Sequence, residues 1–368
     1  MFESPDTSGH SSARPLTLAD YGWDADREYT FRSRPDGLVP ARVVRAERGQ
    51  CDVVAESGSV RAIVAQSTVD GDGRPIPCTG DWVALRPAEA ASSPTVVEVL
   101  ERRTVLVRSN ASRTSRSQVL AANVDTVAVI VSLADRIRRG RIERMLALAW
   151  ESGATPVVVL TKADRCTDPW SAHAEVSAVA PGAAVLVTSA ATGDGMDALV
   201  SVLAGTVVLV GPSGAGKSSL GNRLLGEDLL SVGAVRGNDG KGRHTTAWRE
   251  LLPLSGGRVL IDTPGLRGVG LTEVDDGLDQ TFSEIAELAA DCRFADCAHV
   301  TEPGCAVRSA IESGELTQRR LDSYHRLQRE NTYAASRTDA RLRAELERRD
   351  KQGARLRRAI KQSPNFKA

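Results

Sequence analysis

Aromatic side chains are scarce in this chain: Trp, Tyr and Phe make up 4% of 368 residues, against 41% for hydrophobic residues as a whole. Such a chain is aromatic-poor without being disordered, because a disordered segment would be short of all apolar types. Long hydrophobic runs are missing too, and no stretch approaches the length that crosses a bilayer. The polar start MFESPDTSGHSSARP lacks the apolar stretch of a signal peptide. A cytoplasmic protein with no membrane association is therefore expected. Net charge is also absent, with 47 Lys and Arg balancing 47 Asp and Glu. The balance hides an asymmetry, since residues 316–368 hold fifteen Lys/Arg and six Asp/Glu. A basic end on an otherwise acidic chain fits a polyanionic partner such as nucleic acid, or else a solvated Arg-rich helix; charge alone does not choose.

The length allows two or three domains. Residues 1–35 read as irregular, with a short helix within LADYGWDADREYTF. From Leu38 five short β-rich runs follow, separated by the turn signals ERGQ, ESGS, DGDGRP and CTGD, which predicts a small barrel or sandwich. SRSQVLAA then reads as a linker. From Asn123 apolar β-branched runs alternate with helical stretches, the pattern of a parallel α/β sheet. Beyond Gly270 the chain reads as acidic helix, then a Cys/His-rich stretch, then one long charged helix from about Leu316 to Lys361.

Gly211-Pro212-Ser213-Gly214-Ala215-Gly216-Lys217-Ser218 matches G-x-x-x-x-G-K-[ST], between a strand (TVVLV) and a helical run that begins Ser218-Ser219. Glycines let backbone N–H groups wrap phosphates at a helix N-terminus. Lys217 supplies a cation to the β- and γ-phosphates, and the Ser218 hydroxyl ligates Mg²⁺. Asp262-Thr263-Pro264-Gly265 follows the strand RVLI; Asp262 suits a second Mg²⁺ contact, and Gly265 lets backbone approach the γ-phosphate. Between them, RGNDGKGRHTT is too Gly-rich and charged to pack, and Thr245 or Thr246 can close onto Mg²⁺ in the triphosphate state.

Thr161-Lys162-Ala163-Asp164 ends the apolar strand PVVVL, at the edge where parallel sheets bind ligands. Asp164 can accept from the N1–H and 2-amino group of guanine, which adenine lacks, while Lys162 lays its stem along the base. Thr188-Ser189-Ala190, at the next strand end, can offer backbone N–H to the guanine O6. Three further thiols, Cys51, Cys78 and Cys166, are scattered. By contrast Cys292, Cys297 and Cys305 cluster around His299, which suggests a metal rather than disulfides, the alternative being buried thiols beside a surface histidine.

The order TKAD, TSA, GPSGAGKSS, HTT, DTPG resembles that of circularly permuted GTPases. With the β-rich domain before it and the Cys/His cluster after it, the chain resembles the RsgA (YjeQ) family of ribosome small-subunit-dependent GTPases, from about Leu38 to Tyr333. The resemblance implies three domains: an N-terminal OB-fold β-barrel, a circularly permuted α/β P-loop GTPase domain and a C-terminal helical zinc-binding domain. The boundaries are expected at 1–35 (extension), 36–108, 109–270 and 271–368. It implies hydrolysis of GTP to GDP and phosphate with Mg²⁺, stimulated by the 30S ribosomal subunit, in late 30S maturation by a monomer that binds 16S rRNA. Cys292, Cys297, His299 and Cys305 match the family's site for one structural Zn²⁺, a closed tetrahedral set.

Two positions bear on the chemistry. Thr161 stands where the guanine signature usually has asparagine, and Leu266 where many GTPases carry the glutamine that orients water. Leucine cannot hydrogen-bond water, so intrinsic hydrolysis should be slow. His244, in the loop expected to close over the γ-phosphate, is the candidate for that role. A zinc-containing RNA-binding protein with a nucleotide switch and little hydrolysis, or a permuted GTPase of the large subunit, are the rival readings. In the barrel Trp82 is the main strand aromatic, so phosphate and shape contacts are expected there rather than base stacking.

Overall fold

The computed structural model describes residues 16–65, 75–89, 92–108, 118–230, 250–262, 275–336 and 339–362. The described part of the N-terminal extension is ordered: a one-turn 3-10 helix, Leu18–Tyr21, precedes α1, Ala25–Phe31. Asp24 caps α1 through its carboxylate, which accepts from the Arg27 N–H at 2.9 Å. The short helix expected within LADYGWDADREYTF is thus present, and the apolar residues of this otherwise irregular stretch are few. They are enough to pack: Trp23 lies 4.7 Å from Trp82, ring to ring.

Strands β1 (Val39–Glu47), β2 (Gln50–Ala55), β3 (Gly58–Val64), β4 (Trp82–Arg86) and β5 (Thr95–Val99) close in the order β1-β2-β3-β5-β4, with β1 paired back to β4 and β3 parallel to β5. This closed barrel is the OB-type alternative to the sandwich. Its interior is built from small side chains such as Ala41, Val43, Cys51, Val53 and Val83, all essentially buried, which lets five strands close tightly. β6 (Val105–Arg108) and β7 (Gln118–Ala122) form a separate hairpin. Gln118–Ala122, read from the sequence as part of a linker, is thus a strand; Leu120, Ala121 and Ala122 are buried, too apolar to lie in solvent.

Barrel and sheet meet around a buried cation. Arg42 of β1 is 2% exposed and donates to the Tyr21 carbonyl at 3.0 Å and to the Thr206 hydroxyl at 2.9 Å, 4.8 Å above the Trp82 ring. Burial pushes its pKa down to about 9.

The main sheet contains β8 (Thr126–Ser132), β9 (Thr155–Thr161), β10 (Ala184–Val187), β11 (Thr206–Val210), β12 (Glu250–Leu254) and β13 (Arg258–Asp262), in the order β10-β9-β8-β11-β13-β12. All neighbours are parallel except β12 and β13. Every residue of β8 and of β11 is buried, as sheets covered on both faces require. Helices α2 (Arg139–Glu151), α3 (Pro169–Ser177), α4 (Met196–Val202) and α5 (Lys217–Leu225) make the crossovers. β8, β9 and β11 are adjacent, so the loops after them share one edge.

The C-terminal part comprises α6 (Asp275–Thr281), α7 (Ser283–Ala290), α8 (Ala306–Ser313), α9 (Gln318–Ala335) and α10 (Ala340–Gln362). It packs on α2: a Cβ at Gly277 would lie 2.1 Å from the Ala147 carbonyl, so only glycine permits this approach. The single long helix expected over 316–361 is two. Ser336 ends α9, and Asp339 starts α10 by accepting from the N–H groups of Arg341 and Leu342. No helix among the described residues is long and apolar enough to cross a membrane.

Candidate nucleotide and metal sites

The phosphate loop leaves β11 at Gly211, whose φ is +156° and where a Cβ would come within 2.6 Å of the Ile130 carbonyl. Gly216, at φ +97°, turns the chain into α5. That helix has no side-chain cap, so its first N–H groups are aimed into the loop. Lys217 curls back over it, its Nζ donating to the carbonyls of Gly211 and Pro212, both at 2.8 Å. Ser218 and Ser219 lie in the first turn of α5, and Ala215 is buried beneath the loop. Asp262 ends β13, the strand paired beside β11. Gly265, His244, Thr245 and Thr246 lie outside the described residues.

Thr161 and Lys162 are tied directly to this loop. The Thr161 hydroxyl, 3% exposed, donates to the Ala215 carbonyl at 2.5 Å. Lys162 sits in the left-handed region at φ +59°, which turns its side chain off the strand line. Its Nζ donates to the Gly214 carbonyl at 2.6 Å. Thr161 lacks the asparagine side chain usual at this position, and its hydroxyl instead joins the motif to the phosphate loop. A threonine at a buried strand end looks like any strand residue, so only the fold reveals this contact.

Asp164 is fixed from the other side. Ser189 Oγ donates to Asp164 Oδ1 at 2.5 Å, and the Ala163 N–H donates to the Thr188 carbonyl at 3.1 Å. The N–H groups of Thr188 and Ser189 are used internally, on the carbonyls of Leu160 (2.7 Å) and Asp194 (2.9 Å). Ala190 follows as the next amide of the turn.

Cys292, Cys297, His299 and Cys305 bring one donor atom each to within 4.8 Å of one another. The Cys292 and Cys305 sulfurs are 3.9 Å apart, and His299 Nδ1 lies 3.6 Å from the first and 3.4 Å from the second. Donors around a tetrahedral Zn²⁺ stand about 3.8 Å apart for S–S and about 3.6 Å for S–N. The set therefore fits a closed four-coordinate metal ion. His299 reaches it at φ +57°, in a turn held by the nearby Glu302. The Glu302 carboxylate accepts from the N–H groups of Val300 (2.8 Å), Thr301 (2.9 Å) and Ala298 (3.2 Å). Its own backbone N–H first, and then these neighbours, hold its carboxyl down at about 2. A lone glutamate in VTEPG carries no sequence signal for such a role.

A phosphate loop and a guanine-type motif joined at one sheet edge, with the motif earlier in the chain than the loop, define a circularly permuted P-loop GTPase. Residues 99–272 match the RsgA GTPase family. The chain is 55% identical over 344 residues to the small ribosomal subunit biogenesis GTPase RsgA of Streptomyces avermitilis, covering 92% of this chain and 91% of that one. It is 44% identical over 362 residues to the protein of the same name from Opitutus terrae, covering 94% and 99%. Among solved structures, YjeQ from Thermotoga maritima superimposes with a TM-score of 0.60 at 26% identity, covering 79% of this chain and 97% of that one. YloQ, described as a circularly permuted GTPase, shares the fold with a TM-score of 0.57 at 24% identity, covering 80% and 95%. The chain belongs to the RsgA GTPase family, and it is a GTP hydrolase.

Proposed function

We propose that this GTPase works on the small ribosomal subunit, hydrolysing GTP when bound to 30S particles and contacting 16S rRNA late in their maturation. The observation that carries the nucleotide half is the web joining Thr161 and Lys162 to Ala215 and Gly214, which makes base and phosphate recognition one unit. The ribosomal half draws on the names of its relatives. In this reading the Gly211–Ser219 loop holds the phosphates, and Asp164 accepts from the guanine N1–H and 2-amino group. The amide of Ala190 meets O6, because those of Thr188 and Ser189 are already engaged. Ser218 and Asp262, with Thr245 or Thr246, are the residues that would hold Mg²⁺, which supplies charge neutralisation at the β- and γ-phosphates. His244 orients the attacking water. Initial-rate GTP hydrolysis measured alone, with 30S and with 50S subunits should rise strongly with 30S only. Equal rates in all three mixtures would leave the rival reading, an RNA-binding protein with a nucleotide switch and little turnover.

The metal is assigned as one structural Zn²⁺, since three thiolates and an imidazole leave no open coordination position. A strong chelator should release one equivalent of zinc per chain, followed by loss of helicity from the C-terminal helices, where Cys292, Cys297 and Cys305 line the same apolar core as Phe282 and Val307. A metal-free protein with an unchanged circular dichroism spectrum would rule this assignment out.

A further inference from the structure

One groove is used neither by the nucleotide site nor by the metal. It encloses about 1020 Å³ between the segment after β8, helix α3 and the C-terminal helix α9. Six arginines line it: Arg136, Arg138 and Arg139 from the sheet side, Arg319, Arg326 and Arg329 from α9. The lining acids are fewer: Asp135, Glu175 and Asp322. Arg139 is paired with Glu175 at 2.7 Å and Arg319 with Glu143 at 3.0 Å. Arg136, Arg138 and Arg329 have no ionic partner among the described residues, and all three are exposed. The walls are preformed, because Glu143 of α2 and Arg320 of α9 are joined by a buried ion pair at 2.9 Å.

A second feature concerns the start of α2. This thirteen-residue helix opens at the groove with Arg138 as its N-cap, no side-chain cap and no acidic residue in the first turn, where Arg139 and Arg141 stand instead. Cations at the positive end of a helix oppose the macrodipole, and local conflicts of this kind gather at functional sites. An anion in the groove reverses the sign of the interaction. On the opposite wall, Arg319 and Arg329 lie ten residues apart on one helix, about 15 Å along its axis. That span is long for a mono- or triphosphate and suits several consecutive phosphates. Further along the chain the basic α10 extends the same charge.

We infer that this groove binds the sugar–phosphate backbone of RNA, gripped from the GTPase sheet and the C-terminal helix α9 at once. The inference rests on the proposed RNA partner but adds a specific surface to it. The test uses the full-length zinc-loaded chain and its triple variant Arg136→Gln, Arg138→Gln, Arg329→Gln, with a fluorescent 24-nucleotide RNA hairpin as probe. The slope of log affinity against log salt should become shallower by about two to three on losing three phosphate contacts. GTP affinity and basal turnover should stay unchanged. Cys166, which lines the groove and is partly exposed, reports occupancy independently. RNA should slow its alkylation in the parent and not in the variant. Equal salt slopes, or no protection of Cys166 in the parent, would overturn the inference. So would protection by inorganic tripolyphosphate without protection by RNA, which would make this a small-anion site. The ribosomal reading fails on a separate result, the absence of 30S stimulation, which leaves the hairpin measurements interpretable.

Discussion

Glu143→Ala should lower the stability of the folded chain by about 3–5 kcal/mol, the usual cost of leaving one member of a buried ion pair alone. Glu143 has no exposure, and Arg320 has 3%. One carboxylate oxygen accepts from Arg320 at 2.9 Å and from Arg319 at 3.0 Å, and the other from the Ser323 hydroxyl. Arg320 is also bonded to Glu284 and lies 4.2 Å over the Phe282 ring. Without Glu143 a buried guanidinium keeps a single carboxylate partner, and the seam between α2 and α9 loses its centre. Burial by itself would push the Glu143 carboxyl up. The hydrogen bonds from Ser323 and Arg319 and the charges of Arg319 and Arg320 outweigh it and leave the group below the usual carboxylate range. The native state therefore favours the ionised form. This stability is fully present above the unfolded carboxylate value near 4.3 and fades as pH falls through the lower folded value. Denaturant unfolding from pH 7 down to 3 should show the parent losing this increment while Glu143→Gln, weaker at neutral pH, lacks that part of the acid slope. A Glu143→Ala change within 0.5 kcal/mol of the parent at pH 7 would contradict the buried-pair account.

On the proposed guanine contact, Asp164→Asn should reduce GTP affinity by about 10²–10⁴-fold, because two charge-assisted hydrogen bonds, each about 1.5–3 kcal/mol, would be lost or reversed. The direction of the remaining amide follows from the site. Ser189 Oγ donates to Asp164 Oδ1 at 2.5 Å, so an asparagine keeps its oxygen there and turns its NH₂ toward the 2-position of the base. Xanthine carries a carbonyl at that position and pairs with the NH₂. Affinity for XTP should thus rise as that for GTP falls, measured by competition against a fluorescent nucleotide at equal Mg²⁺. A variant that loses both nucleotides equally would mean that the substitution disturbed the loop rather than the base contact. Ser189→Ala in the same background separates the two cases, since it frees the asparagine to flip and should erode the XTP preference.

The nucleotide motifs were legible in the sequence because each is a local device. Wrapping phosphates takes consecutive glycines and a helix start, so GPSGAGKSS announces itself over nine residues. The Cys/His spacing is equally compact, and its donors do converge. Less legible was whether five short strands close on themselves. Closure depends on the pairing of β1 with β4, between Val39–Arg42 and Trp82–Leu85, which no short window contains. The tail looked like one helix because arginine and glutamate are good helix formers throughout; the cap at Asp339 divides it in two.

By itself the sequence determined the order of the motifs, the rearranged GTPase they spell and the residues of the metal cluster, because these rest on neighbours along the chain. The tertiary structure alone decided the contacts between distant segments: Thr161 reaching Ala215, Glu143 meeting Arg320, and arginines from 136 to 329 facing one groove. Such contacts form only when packing brings together elements whose separation in sequence carries no periodic or compositional trace.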